Sequence, residues 1–187
     1  LPICIGQNVA RRAKGFGVEL IGVDPLWPEE AARDIGIRRV EPNELFAQAD
    51  IISLHAPLTP ETTGLIGEAA IAAMKPGVWI VNTSRGKVVD EKVMYEALRS
   101  GHVAGYATDV FESEPPVGNL LLALPNVVAT PHMGTHTRES LKLMGDRVAD
   151  AVLRVFRGER PDFILNPEVY GRLPAAPTAR QQAPLDA

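Results

Sequence analysis

The sequence has little of several features that would mark a special class of protein. Only one of its 187 residues is a cysteine, Cys4, which excludes an intramolecular disulfide and offers no cysteine cluster for a metal. The net charge is −4, so no basic face for a nucleic acid is indicated. The longest apolar runs have the length of strands, and no secretory signal is visible. We therefore expect a cytoplasmic protein with neither a membrane nor a nucleic acid as its partner.

What the sequence does contain is an alternation of short apolar runs with helical stretches. Hydrophobic residues make up 45% and charged residues 22%, which is enough for one good core. Several runs are almost continuously apolar, as in parallel strands that are covered on both faces. This order predicts an α/β domain with a doubly wound parallel sheet. Strands are predicted at 18–23, 37–40, 51–54, 78–82, 103–109 and 127–129, and helices at 6–14, 28–34, 42–48, 68–74, 90–100 and 135–156.

Three ionisable side chains follow three of the predicted strands. Arg85 comes after the strand that ends near Asn82, Glu114 follows the strand that ends at Asp109, and His132 follows the strand 127–129. An arginine can clamp a carboxylate with two hydrogen bonds, and a histidine exchanges a proton near neutral pH. A carboxylate beside an imidazole favours its charged form. Taken singly, each residue has an ordinary alternative as a solvated loop side chain.

The beginning of the chain has part of a dinucleotide-binding pattern. Gly6 and Gln7 open a predicted helix, and Asp24 ends the following strand eighteen positions after Gly6. A carboxylate at that place can accept hydrogen bonds from an adenosine ribose and would repel a 2′-phosphate, which favours NAD over NADP. Alternatively, Asp24 only starts a turn. Leu1 and Ile3 occupy the positions of the two preceding glycines of the full pattern, so from this stretch alone the pattern is weak.

A further loop follows the strand at 51–54. It contains His55, Pro57 and Thr62, whose backbone and hydroxyl groups can line a cofactor channel. The side chain of His55 could equally be structural. No metal ligand set is indicated anywhere in the sequence.

With these segments together, the chain resembles the D-isomer-specific 2-hydroxyacid dehydrogenases, a family that includes D-3-phosphoglycerate, D-lactate and glyoxylate/hydroxypyruvate enzymes. The resemblance extends from about Ile5 to Tyr170. The motifs that carry it are Ile5-Gly-Gln, His55-Ala-Pro-Leu-Thr, Met74-Lys-Pro-Gly, Val81-Asn-Thr-Ser-Arg-Gly-Lys-Val-Val-Asp90, Asp109-Val-Phe-Glu-Ser-Glu-Pro and Thr130-Pro-His-Met-Gly.

The resemblance implies roles for particular residues. Arg85 would bind the substrate carboxylate, His132 would be the acid and base of the reaction, and Glu114 would hold the histidine and charge it. The cofactor would be NAD, and the substrate a D-2-hydroxyacid or a 2-ketoacid. A Rossmann-like nucleotide-binding domain and a homodimer are also implied. The residues expected near the cofactor are Gly6, Gln7, Asp24, His55, Pro57, Thr62, Thr83, Ser84, Asp109 and Gly134.

The chain also departs from the family pattern. We expect the substrate domain and the first strand of the sheet to be missing, which leaves a nucleotide-binding domain at 1–158 that is incomplete at its amino end. Residues 159–171 would return towards the missing domain, and 172–187 are predicted to be a disordered tail. Two alternatives therefore stay open beside an active dehydrogenase. They are a non-catalytic NAD-binding regulator and an inactive remnant.

Overall fold

The computed structural model describes residues 5–171. The predicted tail at 172–187, Cys4 and the positions of Leu1 and Ile3 lie outside the described residues. The described chain forms two compact units that divide between Gly134 and Thr135. The predicted boundaries at 158 and 171 stay predictions.

The first unit alternates strands and helices along the chain, as the sequence predicts. Its strands are short, and its helices have between six and ten residues. In chain order the elements are α1 (Ile5–Ala13), β1 (Leu20–Gly22), α2 (Glu29–Ile35), β2 (Ile37–Arg39), α3 (Pro42–Gln48), β3 (Ile51–Leu54), α4 (Glu68–Ala73), β4 (Val78–Asn82), α5 (Glu91–Ser100), β5 (Val103–Thr108) and β6 (Val127–Ala129). Turns of 3-10 helix at Lys14–Phe16, Gly86–Val88 and Leu120–Ala123 were not predicted.

Helix ends follow local capping chemistry. Asp90 caps α5, because its carboxylate accepts hydrogen bonds from the backbone N–H groups of Lys92 and Val93. Gly101 ends the same helix with a left-handed φ of 78°. Gly15, which follows the helix predicted at 6–14, is a plausible cap from the sequence, but it does not cap the helix: a 3-10 turn follows α1, and Gly17 takes the left-handed conformation with a φ of 70°.

The strands form two parallel sheets. One has the order β3-β4-β5-β6, and β1 pairs with β2 in a separate two-stranded sheet. This parallel α/β arrangement confirms the predicted fold class, but the predicted single sheet is divided in the described residues because β1 has no hydrogen-bonded partner other than β2. The larger sheet is continuous, with β4 paired to both β3 and β5.

The core of the first unit lies on one face of the larger sheet. Side chains alternate between the two faces along β3 and β4, so that Ile52 and Ile80 are buried while Ile51 and Trp79 are exposed. Buried residues of α4 and α5, including Met94, pack in the same cluster. This packing fixes the strands whose carboxyl ends carry the predicted site.

The second unit contains α6 (Arg138–Phe156) and a short 3-10 turn at Pro167–Gly171. Thr137 caps α6 by accepting a hydrogen bond from the Ser140 N–H. Arg154 pairs with Asp150 and Asp162 on the surface of this unit. Within residues 5–171, none of the helices has the length and apolar character that crossing a bilayer requires.

Candidate active site

The predicted functional side chains lie in the loops at one edge of the larger sheet. Its four strands are parallel, so their carboxyl ends lie at the same edge. The loop after β3 begins with His55, and the loop after β4 contains Arg85. Asp109 and Glu114 follow β5, and His132 follows β6. Tertiary structure thus gathers groups that are far apart in the sequence.

Glu114 and His132 form a direct pair. The His132 Nδ1 lies 2.8 Å from the Glu114 Oε2, and both side chains are partly exposed. The other carboxylate oxygen of Glu114 accepts a hydrogen bond of 3.1 Å from the Phe111 N–H. The hydrogen bond with His132 and then that from Phe111 hold the pKa of Glu114 below its ordinary value. The carboxylate is therefore ionised at neutral pH, and the Nε2 of His132 is left as the nitrogen that can face a substrate.

Asp109 organises the turn that carries His132. The histidine has a φ of 52°, which is unfavourable for a residue with a side chain. One oxygen of Asp109 accepts hydrogen bonds from the Thr130 hydroxyl and the Met133 N–H, and the other accepts from the Gly134 N–H at 2.8 Å. The Asp109 carboxylate thus accepts hydrogen bonds from residues that both precede and follow His132. Their hydrogen bonds stabilise the left-handed turn.

These bonds also control the ionisation of Asp109. Burial alone would raise the pKa of this carboxyl, but the hydrogen bonds from Thr130, Met133 and Gly134, together with the nearby His132, lower the pKa overall. The sequence interpretation put Asp109 and Gly134 beside the cofactor. In the structure they bond to each other, and their cofactor roles stay predictions.

Asn82 anchors the loop that carries Arg85. Its side chain is fully buried, and its Oδ1 accepts hydrogen bonds from the N–H and the hydroxyl of Ser84 at 3.0 and 2.8 Å. Its Nδ2 donates to the Arg85 carbonyl at 3.0 Å. Thr83, which lies between Asn82 and Ser84 in the sequence, is exposed. From the sequence alone, Asn82 is given no role. A polar residue at the end of an apolar run is nevertheless a signal that its side chain could support the following loop.

The Arg85 loop and the Glu114 loop touch through their backbones at Gly86. A Cβ atom at Gly86 would lie 1.9 Å from the carbonyl carbon of Phe111 and 2.4 Å from the Glu112 nitrogen. Only glycine permits this approach. The guanidinium of Arg85 is exposed and donates to the Ser84 carbonyl at 2.7 Å, so its other N–H groups can bind an anion.

His55 packs against the start of α1. A Cβ at Gly6 would lie 3.3 Å from the His55 ring, and the ring Nε2 lies 2.9 Å from the Ser53 hydroxyl. Burial lowers the pKa of His55, so the ring is neutral at physiological pH. Gly6 and Gln7 belong to the first turn of α1, which contains no acidic residue.

Thr62 closes the loop after β3. Its hydroxyl donates to the Pro57 carbonyl at 2.6 Å and accepts from the Thr59 N–H at 2.8 Å. The two predicted cofactor residues in this loop, Pro57 and Thr62, are therefore bonded to each other. What they do for a cofactor stays a prediction.

The side chain of Asp24 forms a turn, which is the alternative to ribose binding that the sequence left open. Its Oδ1 accepts a hydrogen bond of 2.8 Å from the Leu26 N–H. The second carboxylate oxygen can still accept from a ribose hydroxyl, so the turn and the nucleotide role are compatible. The chain around Asp24 fits a nucleotide in one respect, which is a carboxylate acceptor after the end of β1. Among residues 5–171 no group of three or more His, Cys, Asp or Glu side chains could hold a metal ion.

A parallel α/β domain with an acidic residue after β1 and an acid–base pair at its carboxyl edge is typical of a nucleotide-binding oxidoreductase domain. Residues 4–134 match the family described as "D-isomer specific 2-hydroxyacid dehydrogenase, NAD binding domain". The chain therefore belongs to this family, whose cofactor is NAD.

Named relatives agree with this assignment. A D-3-phosphoglycerate dehydrogenase of Methanocaldococcus jannaschii is 48% identical over 87% of the chain and 31% of its own length. A glyoxylate reductase of Korarchaeum cryptofilum is 44% identical over 88% of the chain and 50% of its own length. The structure of D-lactate dehydrogenase with NAD+ from Lactobacillus jensenii has a TM-score of 0.80 at 28% identity, covering 86% of this chain and 52% of that one. The chain thus spans between 31% and 52% of the length of these proteins.

Proposed function

We propose that this chain provides the NAD site and the acid–base groups of a dehydrogenase that interconverts a D-2-hydroxyacid and a 2-ketoacid. The observation that carries the proposal is the pair of His132 and Glu114 at 2.8 Å, together with the exposed Arg85 in the loop that contacts the Glu114 loop at Gly86. An acid–base group beside a carboxylate clamp suits a substrate that has a carboxylate next to a carbonyl.

In the proposed reaction each side chain has one task. Arg85 binds the carboxylate of the ketoacid with two hydrogen bonds and so orients the carbonyl. The Nε2 of His132 donates a proton to the carbonyl oxygen, while Glu114 stabilises the charged imidazole through Nδ1. The guanidinium and the imidazolium stabilise negative charge that develops on that oxygen. NAD supplies the hydride chemistry when it is bound.

NADH binding is the first test, because it is independent of turnover. We expect the chain to bind NADH, measured by the fluorescence of the dihydronicotinamide. Asp24→Ala should weaken binding, because an acceptor for the ribose is lost. Tight binding of NADPH in preference to NADH would contradict the role of Asp24.

Turnover is the second test, measured as NADH consumption with glyoxylate, hydroxypyruvate and pyruvate. His132→Gln should lower kcat by about a hundredfold or more, since general acid catalysis is lost. Glu114→Gln should lower kcat less, and Arg85→Lys should mainly raise KM. His136→Gln is the matched control, because His136 is an exposed histidine to which the proposal assigns no role. Equal rates for His132→Gln and His136→Gln would reject the acid–base role.

The test also separates the alternatives. NADH binding without turnover of any 2-ketoacid would favour a non-catalytic NAD-binding regulator, and neither binding nor turnover would favour an inactive remnant. A homodimer and a cytoplasmic location belong to the same proposal. Light scattering after size-exclusion chromatography tests the homodimer through the molar mass, and a monomer at all concentrations would contradict it.

A further inference from the structure

Two acidic side chains join the loops of the proposed active site. The Glu91 N–H donates to the Glu112 Oε1 at 3.1 Å, and the Glu112 N–H donates to the Glu91 Oε1 at 2.9 Å. The Asn119 Nδ2 donates to the remaining oxygen of Glu91 at 2.7 Å. We call this reciprocal arrangement of Glu91 and Glu112 the glutamate bracket.

The bracket forms at the amino end of α5, where backbone N–H groups need acceptors outside the helix. Glu91 is the first residue of α5, so its N–H has no acceptor inside the helix. Asp90 already accepts from Lys92 and Val93, and Glu112 accepts from the N–H that precedes them. Two carboxylates are tolerated side by side because backbone donors and the positive end of the helix surround them.

The bracket connects the Arg85 loop with the Glu114 loop. From Arg85 to Glu91 the chain runs through the 3-10 turn and through Val88 and Val89, which are fully buried in the core cluster. Glu112 lies two residues before Glu114 in the other loop. The close backbone contact at Gly86 lies between the same two segments.

Glu114 depends on the backbone that the bracket holds. Its Oε1 accepts from the Phe111 N–H, which directly precedes Glu112. A shift of residues 111 and 112 therefore shifts the carboxylate that holds His132. Neither Glu91 nor Glu112 is bonded to His132, so any effect they have on it is indirect.

We propose that Glu91 and Glu112 are positioning residues, which hold the carboxylate clamp and the acid–base pair at a fixed separation. This rests on the proposed function, because Arg85, Glu114 and His132 take their roles from it. In the sequence Glu112 is a loop carboxylate with no indicated partner. In the structure its carboxylate accepts a hydrogen bond from the backbone at the start of α5.

Amide hydrogen exchange tests the bracket without any turnover. In Glu112→Ala we expect the Phe111 N–H to exchange about tenfold faster, since one bond between the loops is lost. Glu112→Gln keeps an acceptor oxygen, so exchange should stay within about twofold of the wild type. Glu96→Ala is the control, because Glu96 is exposed on the same helix and outside the bracket. The Ile80 N–H in β4 reports global opening.

Three results of this experiment would overturn the proposal. The first is an unchanged Phe111 exchange rate in both Glu112→Ala and Glu91→Ala. The second is an equal acceleration at Phe111 and Ile80, because the bracket would then stabilise the whole unit rather than the site. The third is a Phe111 exchange rate in Glu112→Gln that equals the rate in Glu112→Ala, because the side-chain oxygen of residue 112 would then not act as an acceptor.

Steady-state kinetics then test whether loss of the bracket impairs the proposed reaction. In Glu112→Ala, kcat/KM for the 2-ketoacid should fall about tenfold and recover in Glu112→Gln, while the Kd for NADH stays unchanged. A wild-type kcat/KM in a variant whose Phe111 exchange is accelerated would overturn the positioning role. If the wild-type chain turns over no ketoacid, the proposed function fails, whereas the exchange experiment still decides whether the bracket holds the loops.

Discussion

The two sheets of the first unit differ in how they are stabilised. In the larger sheet Val78 and Ile80 are almost inaccessible, whereas no residue of β1 or β2 is buried. Around the smaller sheet the buried side chains are Ala32, Ile35 and Val40, which lie outside the two strands and outside the main core cluster. Surface ion pairs such as that between Arg38 and Glu44 at 2.7 Å add little to stability. The acid–base edge therefore belongs to a sheet with buried strands, while Asp24 follows a strand that has no buried residue.

The largest expected effect compares one isoleucine in each sheet. Ile80→Ala should lower the free energy of unfolding by about 4 kcal/mol, because it leaves a cavity in the core. Ile21→Ala should cost below about 1 kcal/mol, since Ile21 is partly exposed. Urea unfolding measures both.

The two tryptophans make this comparison sharper. Trp27 contacts Gly22 of β1, and Trp79 lies in β4. Replacing either one by phenylalanine leaves a single fluorescent reporter for one sheet. We expect the transition reported by Trp27 to occur at lower urea. The difference in stability between the sheets would be contradicted by two results together. Ile80→Ala and Ile21→Ala would lower the free energy of unfolding equally, and the urea transitions reported by Trp27 and Trp79 would coincide.

Gly86→Ala tests the contact between the two loops. The added Cβ would overlap the backbone of Phe111, so we expect a loss of about 3 kcal/mol in the free energy of unfolding. Gly145→Ala is the matched control in α6. A Cβ there meets no atom within 4 Å, and alanine should stabilise the helix by up to about 1 kcal/mol. Thermal unfolding that shows no loss for Gly86→Ala would contradict the close approach.

Asp109→Asn tests the turn of His132. An asparagine cannot accept all three hydrogen bonds, so we expect a cost of about 2 kcal/mol at neutral pH. Because the folded pKa of Asp109 lies below its unfolded value, its stabilisation is complete above the unfolded pKa of about 4 and is lost as the pH falls through the folded pKa. Urea titrations across acidic pH measure this loss. The variant should lack it, and identical pH profiles would argue against an ionised anchor.

The smallest effect is expected at His55. Burial lowers its pKa, so folding disfavours the charged ring. Stability should therefore decline as the pH falls below the ordinary histidine pKa of about 6.5 and continue to decline down to the folded pKa. His55→Gln should remove this part of the pH dependence while keeping a polar group beside Ser53. An unchanged profile between neutral and mildly acidic pH would show that the ring is not held neutral.

Much of the fold was predictable from local patterns. β3, β4 and β6 begin and end where their apolar runs do, and Asp90 and Gly101 mark the ends of α5. The short 3-10 turns and the cap at Gly17 were missed, because such turns depend on where the chain must go next and not on a hydrophobic period. The division into two sheets was missed for a similar reason: strand pairing is a contact between distant segments.

For the candidate site, the sequence indicated which chemical groups are present but not how they are held. Arg85, Glu114 and His132 could be selected because each ionisable residue follows an apolar strand. Asn82 supports its loop through neighbours in sequence, and the polar residue at the end of an apolar run was a usable signal. Thr130 and the glutamate bracket carry no pattern of their own, because they become visible only when segments about 20 residues apart along the chain meet.

By itself, the sequence determined the order of strands and helices, the family and the chemical types of side chain at each loop, because these depend on neighbours along the chain. The family resemblance also implied that Glu114 holds His132. Only the tertiary structure decided that a second carboxylate, Asp109, stabilises the turn of His132, and that a third, Glu91 at the start of α5, accepts a hydrogen bond from a distant loop. The physical reason is that hydrogen bonds act over a few ångströms, so the partners of each carboxylate are set by the packing of the sheet and not by distance in sequence.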